Sequence, residues 1–176
     1  VQKYEAVPFT ARSVTARAYN RAFRRGGSGM PLGVYIRDSV ATEVRDASPR
    51  TASYILYYHY VFRTKYNRPV INEAVAGELL AVLAAVCEER GYILCAAAAM
   101  PEHVHLVLSL KPTTPPAEPM QYVKGRSSRE LRRAFPELAG PALWASGYYV
   151  EAVGKKNVHQ VLHYVSRQEE HHDGAA

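Results

Sequence analysis

Two histidines separated by one residue, His103-Val104-His105, stand in the run MPEHVHLVLS. Imidazole nitrogens ligate divalent cations, and two of them can share an ion while leaving its other positions open. On a strand their Cα atoms lie roughly 7 Å apart with both side chains on one face. Two ordinary surface histidines have the same spacing, and H-x-H alone does not separate the readings. A second group lies near the C-terminus, where Tyr164 and Gln168 are four residues apart and share one face of a helix. A phenol can serve as a nucleophile, and it is also a common amphipathic packing residue. Taking Val158, Val161, Leu162 and Val165 as the buried stripe, Tyr164 sits about 110° from its centre and flanks the core. A third group is basic: Lys124, Arg126, Arg129, Arg132 and Arg133 against Glu130 alone. It reads as a nucleic-acid contact or as a solvated helix face.

The elements that must position these groups form an α+β pattern. Tyr54 to Phe62 is rich in aromatic and β-branched residues and reads as a strand. Asn72 caps a helix running to Arg90, with Val75, Leu79, Val82, Leu83 and Val86 on one face and Gly91 as its stop. Tyr92 to Ala99 is a second strand, and His103 to Leu110 a third. Alternation sends Val104, Leu106, Leu108 and Leu110 to the core and His103, His105, Val107 and Ser109 to the other face. After a proline-rich loop, Lys111 to Pro119, Ser127 and Glu130 make a capping-box pattern for a helix that Pro136 ends. Tyr148 to Val153 is a fourth strand, Gly154 breaks it, and Asn157 caps a last helix to about His171. The order βαββαβ predicts a ferredoxin-like or RNA-recognition-like antiparallel sheet with an additional C-terminal helix. Helices should cover one face and leave the other open for a site.

The chain has 176 residues and a formal net charge of +6, enough length for one well-filled core. Most of the charge is N-terminal. Residues 1–53 hold nine Lys and Arg against four Asp and Glu, a net +5, and residues 54–176 carry only +1. The division predicts a basic N-terminal extension of unread role (1–53) and a nearly neutral body (54–176), which the resemblance given below implies is the catalytic domain. In the extension, Arg12 to Arg25 and Arg37 to Arg45 are candidate short helices. No apolar run reaches membrane-spanning length, and the first residues carry no signal-peptide pattern. Cys87 and Cys95 read as two buried thiols in a reducing, cytoplasmic compartment.

Taken together, YYHYVFRTKYNRPVI, MPEHVHLVLS, KGRSSRELRRAFPEL, W-x-x-GYYVEAVG and HYVSRQ closely resemble the single-tyrosine HUH transposases. These are the TnpA-type enzymes of the smallest single-strand insertion sequences, related to the REP-associated tyrosine transposases. The resemblance runs from about Tyr54 to Glu170. It implies that His103 and His105 are the metal-binding histidines, Tyr164 the nucleophile and Gln168 the residue completing the metal site. It also implies that Lys124, Arg126, Arg129, Arg132 and Arg133 contact a DNA hairpin. Glu102 stands where the family usually has Asp, and the Lys155-Lys156 pair is more basic than the family pattern.

The implied chemistry suits these residue types. Tyrosine attack on a phosphodiester forms a 5′-phosphotyrosine, frees a 3′-OH and retains the ester energy for rejoining. No nucleotide cofactor is needed, and no G-x-x-x-x-G-K-[ST] loop occurs. Mg²⁺ or Mn²⁺ on a neutral ligand set would polarise the phosphate. The resemblance further implies a homodimer acting on single-stranded DNA with hairpin ends. Arg63, Lys65 and Arg68 form a second basic patch, and Tyr57 or Tyr148 is a candidate for stacking unpaired bases. Two other readings compete: a replication-initiator or relaxase-type nickase, and a non-catalytic nucleic-acid-binding module on the same sheet. The absence of H-x-[ST] pairs excludes a two-histidine phosphoesterase.

Overall fold

A computed structural model of the chain describes residues 32–37, 45–48, 52–140, 142–154 and 157–167. The candidate helix at Arg12–Arg25, the Lys155-Lys156 pair, Gln168 and the end of the last helix at His171 lie outside the described residues. The described strands are β1 (Gly33–Ile36), β2 (Arg45–Ser48), β3 (Ala52–Tyr54), β4 (Tyr57–Arg63), β5 (Ile93–Ala99), β6 (His103–Ser109) and β7 (Tyr149–Val153). Five of them make an antiparallel sheet in the order β1-β5-β6-β4-β7, and β2 pairs with β3 separately. Strands β4 to β7 have the expected ferredoxin-like order, and β1 adds an edge from before residue 54. Arg45, expected to close a short helix, instead opens β2.

Three α-helices are described: α1 (Glu73–Arg90), α2 (Glu118–Ala134) and α3 (Val158–Arg167). At the start of α1, Asn72 Oδ1 accepts from the Val75 N–H at 3.0 Å. Gly91 takes φ 70° and Tyr92 N–H bonds back to the Cys87 carbonyl at 2.9 Å, closing the helix C-terminus. Helix α2 begins nine residues before the expected capping box. Ser127 is mid-helix, its hydroxyl donating to the Val123 carbonyl four residues back at 2.6 Å.

Two cores lie on opposite faces of the sheet. Helices α1 and α2 pack Leu79, Leu83, Val123 and Leu131 on Tyr60, Phe62, Val104, Leu106 and Leu108. On the other face α3 lays Val158, Leu162 and Val165 over Tyr57, Ala96, Ala98, Val107 and Val153. The second face is therefore not open, and all seven residues of β6 are buried. Tyr57 is buried beneath this layer, which removes it as a base-stacking surface. Small residues allow the close layering. Ala97 and Ala99 belong to the first core, Ala96 and Ala98 to the second. A Cβ on Gly33 would stand 3.0 Å from Leu80 Cδ1 and 3.3 Å from Ala76 Cβ.

The segment before β7 is tied down from three sides. Its backbone bonds to β4's end through Lys65 N–H to Leu143 O (2.7 Å) and Ala145 N–H to Arg63 O (2.9 Å). Trp144 packs edge-on to Phe62 at 4.8 Å and donates its indole N–H to Ser127 Oγ at 3.0 Å. The Lys124 ammonium donates to the carbonyls of Ala145 (2.7 Å), Ser146 (3.0 Å) and Gly147 (2.9 Å). Partial burial lowers the Lys124 pKa from its ordinary value.

Two outcomes follow from this architecture. Lys124→Met should lower stability by about 1–2 kcal/mol, since charge-assisted bonds are removed at a partly solvated site. Hydrogen exchange at residues 145–147 should accelerate while β5 and β6 keep their protection. Burial, and secondarily the nearby Cys95, pushes the Cys87 thiol up to about 12. Neither Cys87 nor Cys95 should react with an aromatic disulfide reagent until the protein is unfolded.

Candidate active site

The sheet register assembles the site. Across β4 and β6, Val61 faces His105, Arg63 faces His103 and His59 faces Val107. Across β4 and β7, His59 faces Glu151 and Val61 faces Tyr149. Strand alternation then places His59, His103 and His105 on the face that α3 crosses. The His103 and His105 rings meet edge to face at 5.0 Å, and Tyr164 of α3 lies edge-on to His105 at 6.0 Å. Tyr164 is 46% exposed, on the flank of its helix as its angular position requires. A cleft of about 670 Å³ opens here, lined among others by Arg63, Glu102, His103, His105, Tyr148 and Tyr164.

Hydrogen bonds orient each imidazole. Glu102 Oε1 lies 2.8 Å from His103 Nδ1, so the longer side chain at this position still reaches its histidine. Glu151 Oε1 lies 2.9 Å from His59 Nδ1, and His59 Nε2 lies 2.9 Å from His105 Nδ1. The His59 and His105 rings stack at 5.2 Å, 16° from parallel. The Glu151 carboxyl is held below its ordinary pKa, first by the His59 hydrogen bond and further, against burial, by the Tyr149 hydroxyl. His59 and Glu151 carry no signal in the sequence comparable to H-x-H. Only the strand register brings them together.

Among the described residues, no group of three or more His, Cys, Asp and Glu side chains converges as a metal cage. The expected metal residues His103 and His105 are adjacent, and Gln168 lies outside the described residues. The expected DNA-binding residues do not form one patch. Lys124 turns toward the cleft wall, where its ammonium donates hydrogen bonds to three carbonyls. At 100° per residue, Arg126, Arg129 and Arg133 lie on the opposite side of α2. Arg126 pairs with Glu89 of α1, and the exposed Arg129 and Arg133 share Glu130. Arg132 is half-buried, and the buried Nε atoms of Arg126 and Arg132 have no hydrogen-bond partner among the described residues.

A family profile described as "Transposase IS200 like" matches residues 52–168, more than half of the chain. The transposase for insertion sequence element IS200 of Salmonella typhimurium is 31% identical over 115 residues, covering 63% of this chain and 75% of that protein. The ISDra2 transposase TnpA of Deinococcus radiodurans is 30% identical over 119 residues, covering 65% and 85%. A crystallised protein of Deinococcus radiodurans superposes with TM-score 0.59 at 31% identity, covering 70% of this chain and 98% of its own. A REP-associated tyrosine transposase bound to a REP hairpin shares the fold at TM-score 0.51 and 14% identity, covering 68% and 70%. The chain belongs to the IS200-like transposase family.

Proposed function

We propose that this transposase nicks and rejoins single-stranded DNA by transesterification through Tyr164, after engaging a hairpin at the end of its element. The observation carrying this reading is the approach of Tyr164 to His105 within one chain, 6.0 Å between ring centres at the mouth of the cleft. Tyr164 Oη attacks phosphorus as the bond to the 3′ oxygen breaks. The phenolic proton is given up, and the departing 3′ oxygen takes one. One phosphoester replaces another, so a 3′-OH can reverse the step without a nucleotide cofactor.

The donor set fits a divalent cation that draws most of its ligands from elsewhere. His103 and His105, with Gln168, would hold Mg²⁺ or Mn²⁺, which when bound would withdraw charge from the scissile phosphate. The imidazoles make their bonds to Glu102 and His59 through Nδ1, an arrangement that supports ligation through Nε2 of each ring. Arg63, Tyr148 and Tyr149 line the same cleft, and the exposed faces of Tyr148 and Tyr149 suit stacking with unpaired bases. Arg129 and Arg133 reach Glu130, whose own side chain is largely covered, while their guanidinium groups stay exposed. Those exposed groups can meet phosphates of a hairpin stem. The solved relative held on a REP hairpin supports that choice of substrate. The working unit is a homodimer.

The test is incubation with end-labelled hairpin DNA and Mg²⁺ or Mn²⁺, followed by denaturing electrophoresis. A denaturation-resistant adduct is expected with the wild-type chain and none with Tyr164→Phe. An adduct that survives that substitution overturns the assignment. His105→Ala should reduce cleavage by about 100-fold or more while hairpin binding persists. In filter binding, the Arg129→Ala, Arg133→Ala double variant should flatten the slope of log affinity against log salt. The expected change is roughly 0.7–0.9 for each DNA phosphate that the variant no longer neutralises.

A further inference from the structure

We infer that His59 and Glu151 form a positioning relay that sets the tautomer of His105, keeping its proton on Nδ1 and the lone pair on Nε2. The reasoning follows the protons along two bonds of 2.9 Å each. An ionised carboxylate only accepts, so the bond to Glu151 requires His59 to carry its proton on Nδ1. A neutral imidazole has one N–H, and His59 Nε2 is then an acceptor. His105 Nδ1 must be the donor in the next bond, and the lone pair of His105 falls on Nε2. The polarity of the chain is thus decided at its outer end, on β7, two strands away from the histidine it controls.

The geometry explains why a histidine intervenes. His103 sits at the start of β6 beside the turn, and the adjacent Glu102 reaches its Nδ1 directly at 2.8 Å. His105 lies two residues further into the sheet, where all its strand neighbours are buried. Adjacent strands stand about 4.8 Å apart, so a carboxylate on β7 is roughly twice that distance away. His59, on the strand between, spans the gap. It is 5% exposed, and its ring stacks on that of His105, which fixes orientation as well as proton position. The depressed pKa of Glu151 is consistent with a carboxylate that stays an acceptor.

The relay itself does not depend on a bound cation. Its consequence for metal binding rests on the proposed reading of His105 as a ligand, and the experiment separates the two. Long-range proton–nitrogen spectra of the full, metal-free chain with ¹⁵N-labelled histidine report which ring nitrogen carries the proton. His105 is expected as the Nδ1–H form in the wild-type chain. In His59→Phe, which keeps an aromatic ring but offers no acceptor, His105 should shift toward Nε2–H. His59→Gln, whose amide oxygen can accept from Nδ1, should restore the wild-type form. Glu151→Ala, on the exposed edge strand, should also weaken the Nδ1–H preference and serves if His59→Phe does not fold. Calorimetric Mn²⁺ affinity should fall by about 10–100-fold in His59→Phe and recover in His59→Gln. Wild-type His105 protonated on Nε2, or the same tautomer in wild type, His59→Phe and Glu151→Ala, overturns the relay. A tautomer that shifts as expected while Mn²⁺ affinity stays constant upholds the relay and overturns the metal reading.

Discussion

Strand β4 runs between β6 and β7, and its pairing on both sides decides which side chains meet in the cleft. His59 sits across from Val107 on one side and Glu151 on the other. A slip of one residue would turn His59 into the α1–α2 core and bring Tyr58 or Tyr60 to the histidine face. The register is well determined because both faces of the strand are committed. Tyr60 and Phe62 fill the larger core, and Tyr57 belongs to the smaller. Bonds beyond the strand ends, from Leu110 N–H to Leu56 O and from Ala145 N–H to Arg63 O, hold it lengthwise. The site's geometry is inherited from this packing.

The two cores divide the work. The first contains the long aliphatic and aromatic side chains of α1, α2 and the sheet, where burial contributes most per residue. The second is built largely of Ala and Val and carries the tyrosine helix. Charge is divided in a similar way. A body close to neutral places one lysine against carbonyls at the cleft wall and leaves its most exposed helix-α2 arginines on the far side of that helix. Net charge therefore says little about where a polyanion would lie.

Features encoded locally were legible in the sequence. The Asn72 cap, the Gly91 stop and the alternation of facing in β6, with Val104, Leu106 and Leu108 in one core and Val107 in the other, each depend on a few neighbouring residues, and each is present. The H-x-H pair and the flanking position of Tyr164 were legible for the same reason. Features requiring a distant partner were not. Ser127 matches a capping box by spacing, but the helix already passes through it, and its hydroxyl serves Trp144. Lys124 belongs to a basic run by composition, yet the carbonyls it meets are about twenty residues away. The face read as open is covered because α3 folds back on it, which alternation along β6 cannot show. His59 is one imidazole among aromatic residues until β7 is aligned beside it.

The alanines of β5 have a geometric meaning beyond filling space. Ala98 is the direct neighbour of His105 in the sheet and lies beneath α3. Its methyl group is a spacer between the sheet and the helix that bears Tyr164. With Ala96 and Val107 in the same layer, it keeps the helix close to the strand that carries the imidazoles. A larger side chain at residue 98 would push that helix outward, although the position carries no reactive group of its own.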